Sequence, residues 1–292
     1  FFMWIFLACG SALFAGVTAV LAKCGIRHTD STVATAWRTG MVLLMAWVIV
    51  GLTGSAGQVT GLSPKTWGFL FVSGVSTGAS WLCYFKALQL GNVNQVTPVD
   101  KTSTILTILL SFVVFGEPIG LWQAVGVIAI AVGTFLMLEK KPVTLSAQEK
   151  RGHGWFFFAM GSAVFASLTA LLGKAGMQGV ESNLGTALRT GVVLIMAWGM
   201  VLISGKGKES LKVPRRDMMF ILLSGVSTGA SWLCYFKALK LGPASVVVPL
   251  DKLSLLITVA FSVWVLHESL SRRAALGLLI LTAGTLLMLL PG

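Results

Sequence analysis

Residues 74–88 read GVSTGASWLCYFKAL, and residues 225–239 read the same. Outward from that stretch the offset of 151 residues holds without slipping. It pairs Lys23 with Lys174, Arg38 with Arg189, Pro98 with Pro249, Asp100 with Asp251, Lys101 with Lys252 and Glu117 with Glu268. The chain is therefore two copies of one unit. Duplicated apolar units are how many membrane proteins enclose a site between two related halves.

The apolar character is plain. Of 292 residues, 55% are hydrophobic and 11% are charged, against about 25% charged in soluble proteins. Such a chain belongs in a bilayer. Its net charge of +12 would suggest nucleic acid in a soluble protein. Here the basic residues sit mostly in connecting loops, so they serve orientation and contact with anionic headgroups. The cysteines (Cys9, Cys24, Cys83, Cys234) lie in or beside apolar segments with no metal-type spacing, and a disulfide framework is not expected. The first segment lacks a basic leader and more spans follow it, so it is not read as a cleavable signal.

A span needs about 20 apolar residues. Five candidates fall in the first copy, at 2–23, 32–52, 67–89, 94–115 and 119–138. Five more fall in the second, at 154–174, 183–203, 218–240, 245–266 and 272–289. The expected fold is an all-α membrane protein of ten transmembrane helices in two repeats, 1–139 and 154–292, joined by a linker at 140–153. Five is odd, so the second copy enters from the opposite side and the repeats are inverted. Thirteen loop Lys and Arg residues fall on one side against three on the other. That imbalance predicts a cytoplasmic linker and external termini.

Charges inside spans are costly, about 2.5–3.5 kcal/mol each at the centre. Each copy keeps four: Arg38, Lys86, Asp100 and Lys101, then Arg189, Lys237, Asp251 and Lys252. Their positions place the first set in one layer about 5–10 Å deep and the second in the matching layer near the opposite face. Lys86 and Lys237 can alternatively snorkel to the interface, and Arg38 and Arg189 can serve as structural ties between helices. Asp100, Ser103, Thr107 and Ser111 share one helical face, as do Asp251, Ser254, Thr258 and Ser262. Such a stripe lines a wet path or bonds to a neighbouring helix. Two residues before each aspartate, Pro98 and Pro249 free a backbone carbonyl and can kink the helix. Trp81 and Tyr84, like Trp232 and Tyr235, offer rings for packing or for stacking on a solute. Glu117 and Glu268 end spans on the side of the other copy's cations, so each is a candidate gating ion-pair partner or a solvated loop acid. Small residues in GSALFAG and GSAVFAS let the first span of each half approach its neighbours closely.

The YFKAL segment closing span 3, the VTPVDK and VVPLDK entries to spans 4 and 9, and the FGEP and LHES steps resemble the drug/metabolite transporter superfamily of EamA type. The resemblance covers essentially the whole chain. It implies ten helices, inverted repeats and a central cavity lined mainly by spans 1, 3, 4, 6, 8 and 9, through which small metabolites move by alternating access. By position it places Asp100/Lys101 and Asp251/Lys252 on cavity helices, with Arg38 and Arg189 on the flank. Members usually have cytoplasmic termini, whereas the loop count here argues for external ones.

The expectation is a multi-pass protein of a bacterial-type inner membrane, monomeric or homodimeric, that exchanges a small solute and uses no cofactor. There is no GxxxxGK[ST] phosphate loop, so movement is facilitative, exchange-type or ion-coupled, with a proton as one candidate ion. Three basic span residues per copy against one acid favour a solute bearing a carboxylate or phosphate; amino acid-like compounds remain open. An enzyme is disfavoured, because His28, His153 and His267 all lie at loops or helix ends and form no metal or nucleophile cluster. The alternative is a protein that flips a lipid headgroup, which a groove opening sideways into the bilayer would distinguish.

Overall fold

The computed structural model describes residues 3–25, 29–90, 93–118, 120–137, 154–264 and 270–290. Glu268 and the 140–153 linker lie outside them. Eleven α-helices form among the described residues: α1 Met3–Gly25, α2 Ser31–Leu52, α3 Pro64–Leu90, α4 Val93–Phe115, α5 Leu121–Met137, α6 Gly154–Met177, α7 Ser182–Ile203, α8 Arg215–Leu241, α9 Ala244–Asp251, α10 Ser254–Trp264 and α11 Arg272–Leu287. Among the described residues, seven segments are long and apolar enough to cross a bilayer, and α5 is a shorter apolar helix. The perimeter is apolar too, with Phe6, Val113, Phe157, Ile195 and Leu279 exposed, a surface suited to lipid rather than water.

The repeat governs the caps. Asp30 and Glu181, 151 residues apart, each accept two backbone N–H bonds at the start of the following helix, α2 and α7. A carboxylate there satisfies orphan donors and complements the helix dipole.

It also governs the packing. α3 lies against α6 and, equivalently, α8 against α1; α2 meets α7, and α5 meets α11. Each main contact therefore joins one copy to the other. The identical stretch supplies the close approaches. A Cβ on Gly74 would sit 2.7 Å from Val192 and one on Gly78 2.5 Å from Met196, both on α7. On Gly225 and Gly229 it would meet Met41 and Met45 of α2. Serines in or beside the same stretch bond the other neighbour: Ser73 donates to the Thr169 carbonyl and Ser80 to that of Ser162, Ser227 to that of Phe14 and Ser231 to that of Ser11. Glycines thus bring one helix in while hydroxyls tie the next. Between α5 and α11, Gly126 and Gly133 interlock with Gly277 and Gly284, backbone against backbone.

The copies differ in their fourth span. α4 runs unbroken from Val93 to Phe115, whereas its counterpart is split into α9 and α10, so eleven helices stand where ten were expected. At the split, the N–H groups of Lys252, Leu253, Leu255 and Leu256 bond three residues back, to Pro249, Leu250, Lys252 and Leu253. Pro249 has no N–H and clashes with the preceding turn, and the chain tightens into a 3₁₀ turn beyond it. Pro98 has the same local chemistry without the same outcome, so packing rather than the proline alone decides the break.

Candidate functional site

Three of the first copy's four span charges, Arg38, Asp100 and Lys101, converge on a cavity of about 440 Å³. α2 contributes Thr35 and Arg38; α3 contributes Ser80, Trp81, Tyr84 and Phe85; α4 contributes Asp100, Lys101, Ser103 and Thr104. α6 adds Ser162 and Ala166, and the turn between α9 and α10 adds Lys252. The volume lies in the range of small-molecule sites, with aromatic walls and a few convergent polar groups.

Lys252 is the departure from the expected layers. It stands with the first copy's cluster, within electrostatic range of Lys101. It lies in the 3₁₀ turn that separates α9 from α10.

Asp100 is anchored across the repeat boundary. Ser162 Oγ on α6 donates to Asp100 Oδ1 at 2.7 Å, and Ser162 lies 3.3 Å from Ser80 Oγ. The second copy repeats this: Ser11 Oγ on α1 donates to Asp251 Oδ1 at 2.6 Å and lies 3.2 Å from Ser231 Oγ. Hydrogen bonds to an ionised acceptor are the stronger kind. From sequence alone Ser11 and Ser162 are small residues of close helix packing. The signal was there, because both copies keep Gly-Ser-Ala at that position of the first span.

Not every candidate reaches the cavity. Lys86, on the same helix as Trp81, is exposed and does not line it. Thr107 is buried and donates to the Ser103 carbonyl, and Ser111 bonds Ile108, so the deeper part of the stripe serves its own helix. Thr258 likewise donates to the Ser254 carbonyl. Lys237, Asp251, Ser254, Trp232 and Tyr235 do not line this cavity.

Around Arg189, the equivalent of Arg38, the space is filled. Arg189 is 1% exposed. Its Nη2 donates to Thr77 Oγ1 at 2.7 Å and its Nε to Ser73 Oγ at 3.3 Å. Its guanidinium lies 4.3 Å from the Phe236 ring and 5.3 Å from the Trp232 ring, a stacked and hydrogen-bonded burial. Tyr235 lies within electrostatic range of both Arg189 and Asp251. In contrast, Arg38 is half-buried, faces the cavity and donates to Thr35 Oγ1 one turn away.

A clasp lies beyond Arg189. Glu117, in the loop after α4, accepts from Lys174 Nζ at 2.6 Å and from the N–H groups of Ala244 and Ser245, at 2.7 and 2.9 Å, which begin α9. Lys174 also donates to the Gly242 carbonyl and sits 4.7 Å from the Phe115 ring. Burial raises the Glu117 pKa, but the bonds from Lys174 and Ser245 and the lysine's charge outweigh it and hold the carboxyl below its ordinary value. Glu117 thus reaches the other copy, where its partner is Lys174 in the last turn of α6. At the opposite end Lys206 Nζ bonds Asp30 at 2.6 Å, again across copies.

The chain matches the EamA-like transporter family twice, over residues 2–139 and 153–290. A relative from Sinorhizobium sp, described as an uncharacterized transporter in the cobO 3' region, is 43% identical over 134 residues. That match spans 95% of the relative but 46% of this chain, so the relative is about the size of one copy. An uncharacterized transporter from Archaeoglobus fulgidus is 22% identical over 72% of this chain and 71% of its own length. A crystal structure superposes with a TM-score of 0.79 at 17% identity, covering 97% of this chain and 96% of that one, which extends the likeness of fold to the whole length.

Proposed function

The chain belongs to the EamA-like transporter family, and we propose that it carries a small metabolite bearing a carboxylate or phosphate by alternating access through the Arg38 cavity. The observation that carries the proposal is the lining: Arg38, Lys101 and Lys252 against the single acid Asp100, beside Trp81 and Tyr84. Cations gathered on one wall favour an anionic partner. An amino acid-like solute fits the same wall, with its ammonium at Asp100.

Alternation is supported by the unequal state of two like clusters. The Arg38 cluster borders a cavity, while the Arg189 cluster is packed shut beneath the Glu117–Lys174 clasp. In this reading α9 and α10 form one broken span, giving ten, and the two copies are inverted about an axis in the membrane plane. Glu117 then acts as a gate residue of the closed end. Movement through the protein exchanges the two arrangements, each of which the sequence can adopt. A lateral apolar groove does exist, but it shares no lining residue with the cavity, which favours an enclosed solute over a flipped lipid headgroup.

The test is uptake by proteoliposomes of a panel of carboxylates, phosphates, amino acids and neutral solutes, with and without a pH gradient. Saturable uptake of an anionic or zwitterionic member, lost in Arg38→Ala, is the expected result. Uptake of neutral solutes alone would overturn the substrate class, and scrambling of headgroup-labelled lipid in place of uptake would favour the flippase.

A further inference from the structure

We propose that the groove between α3, α4 and α6 is a binding site for one acyl chain of an anionic phospholipid, whose headgroup is held by Lys65. The groove encloses about 600 Å³. Its walls are apolar: Phe69 from α3, Val114 and Phe115 from α4, and Leu168, Leu171 and Leu172 from α6. It runs along α6 from Gln178 and Gly179, past the helix end, down to Leu168, about three turns deeper. Of these helices α3 and α6 are long and apolar enough to cross the bilayer, so the occupant at that depth is hydrocarbon. Polar groups collect only at the outer end, where Lys65, Thr66 and Gln178 stand.

Lys65 selects the headgroup. It is exposed in the first turn of α3, and its Nζ lies 5.9 Å from the centroid of the Phe69 ring, at the groove mouth. The equivalent position in the second copy, Arg216, is also basic. Lipid tails are as apolar as leucine, so an acyl chain gains little by leaving its neighbours for a protein groove. Retention of one lipid over another therefore turns on charge at the mouth. A lysine near the surface favours an anionic over a zwitterionic headgroup by about fivefold. The occupant also touches the closed end: Phe115 lines the groove with one face of the site and packs on Lys174 of the clasp.

The test is native mass spectrometry of the full chain in detergent, titrated with phosphatidylglycerol or phosphatidylcholine. Wild type is expected to retain one phosphatidylglycerol about fivefold better than phosphatidylcholine. Lys65→Ala should level the two. Leu168→Trp, which fills the groove, should lose the tightly held lipid of either kind. Lys212→Ala, a basic loop substitution at the other end of the molecule, should change nothing. Equal retention of the two lipids by wild type would overturn the proposal. So would a preference surviving in both Lys65→Ala and Leu168→Trp, or one lost equally in Lys212→Ala. Monodisperse elution of each variant separates a lost site from a lost fold.

Discussion

Ser162 donates a 2.7 Å hydrogen bond to Asp100, and 151 residues away in each partner Ser11 does the same to Asp251 at 2.6 Å. Each aspartate is therefore held by the copy it does not belong to. Asp100→Asn removes the charge with little change of shape. It is expected to cut uptake about tenfold, or to shift its pH dependence, in protein recovered at normal yield. Ser162→Ala should have a weaker effect in the same direction. Normal flux with unaltered pH dependence in both Asp100→Asn and Asp251→Asn would remove the aspartates from the transport path.

The cavity cations should separate from the other span cations. Lys101→Ala and Lys252→Ala are each expected to raise the KM for an anionic solute by about tenfold or more, the scale of one charge-assisted hydrogen bond. Lys86→Ala should leave KM near wild type, because Lys86 lies off the cavity. A KM change in Lys86→Ala as large as that in Lys252→Ala would mean that substrate binds elsewhere.

The clasp carries a pH signature. Glu117 has a depressed pKa in the folded protein. Its stabilisation is therefore complete above the ordinary glutamate value of about 4.3 and is lost as pH falls through the lower folded value. Glu117→Gln leaves Lys174 buried without its counter-charge, at a cost of about 3 kcal/mol at neutral pH. The gap in melting temperature between variant and wild type should narrow as pH drops below about 4. A gap of constant size across pH 3–7 would show that shape, not charge, makes the clasp.

Glycine substitutions should divide by neighbour. A Cβ on Gly133 would lie 2.5 Å from the Leu281 backbone nitrogen, where nothing flexible can give way. Gly133→Ala is expected to cost about 1–3 kcal/mol, the usual scale of overpacking. Around Gly191 there is nothing within 4 Å, so Gly191→Ala should be neutral or stabilising by up to about 1 kcal/mol. Thermal melts of the two variants read this directly, and equal behaviour would refute the α5–α11 seam.

The duplication and the span content were legible because both are periodic, and periodicity is a property of the chain itself. So was the company of Arg38, Trp81, Tyr84, Asp100, Lys101 and Ser103, which share neighbouring helix ends. Helical spacing gives the face of a residue but not what stands opposite it. For that reason Ser162 as the partner of Asp100, and Lys174 as the partner of Glu117, could not be read from one helix at a time. Depth counted along an unbroken span puts Lys252 in the far layer. The 3₁₀ turn that moves it follows from packing around Pro249, and Pro98 shows that the same local letters leave another helix unbroken.

That inequality between α4 and the α9–α10 pair makes the molecule a template for its own second shape. Threading each copy along the other's backbone yields a specific alternative conformer with no outside reference. In it the span at 93–115 breaks near Lys101, the span at 244–264 straightens, and Phe236 swings off Arg189 while Phe85 closes over Arg38. Spin labels placed to report the Lys174–Glu117 separation would lengthen as labels reporting the Arg38–Phe85 separation shorten, and a chain that never shows the reciprocal pair is locked in one form.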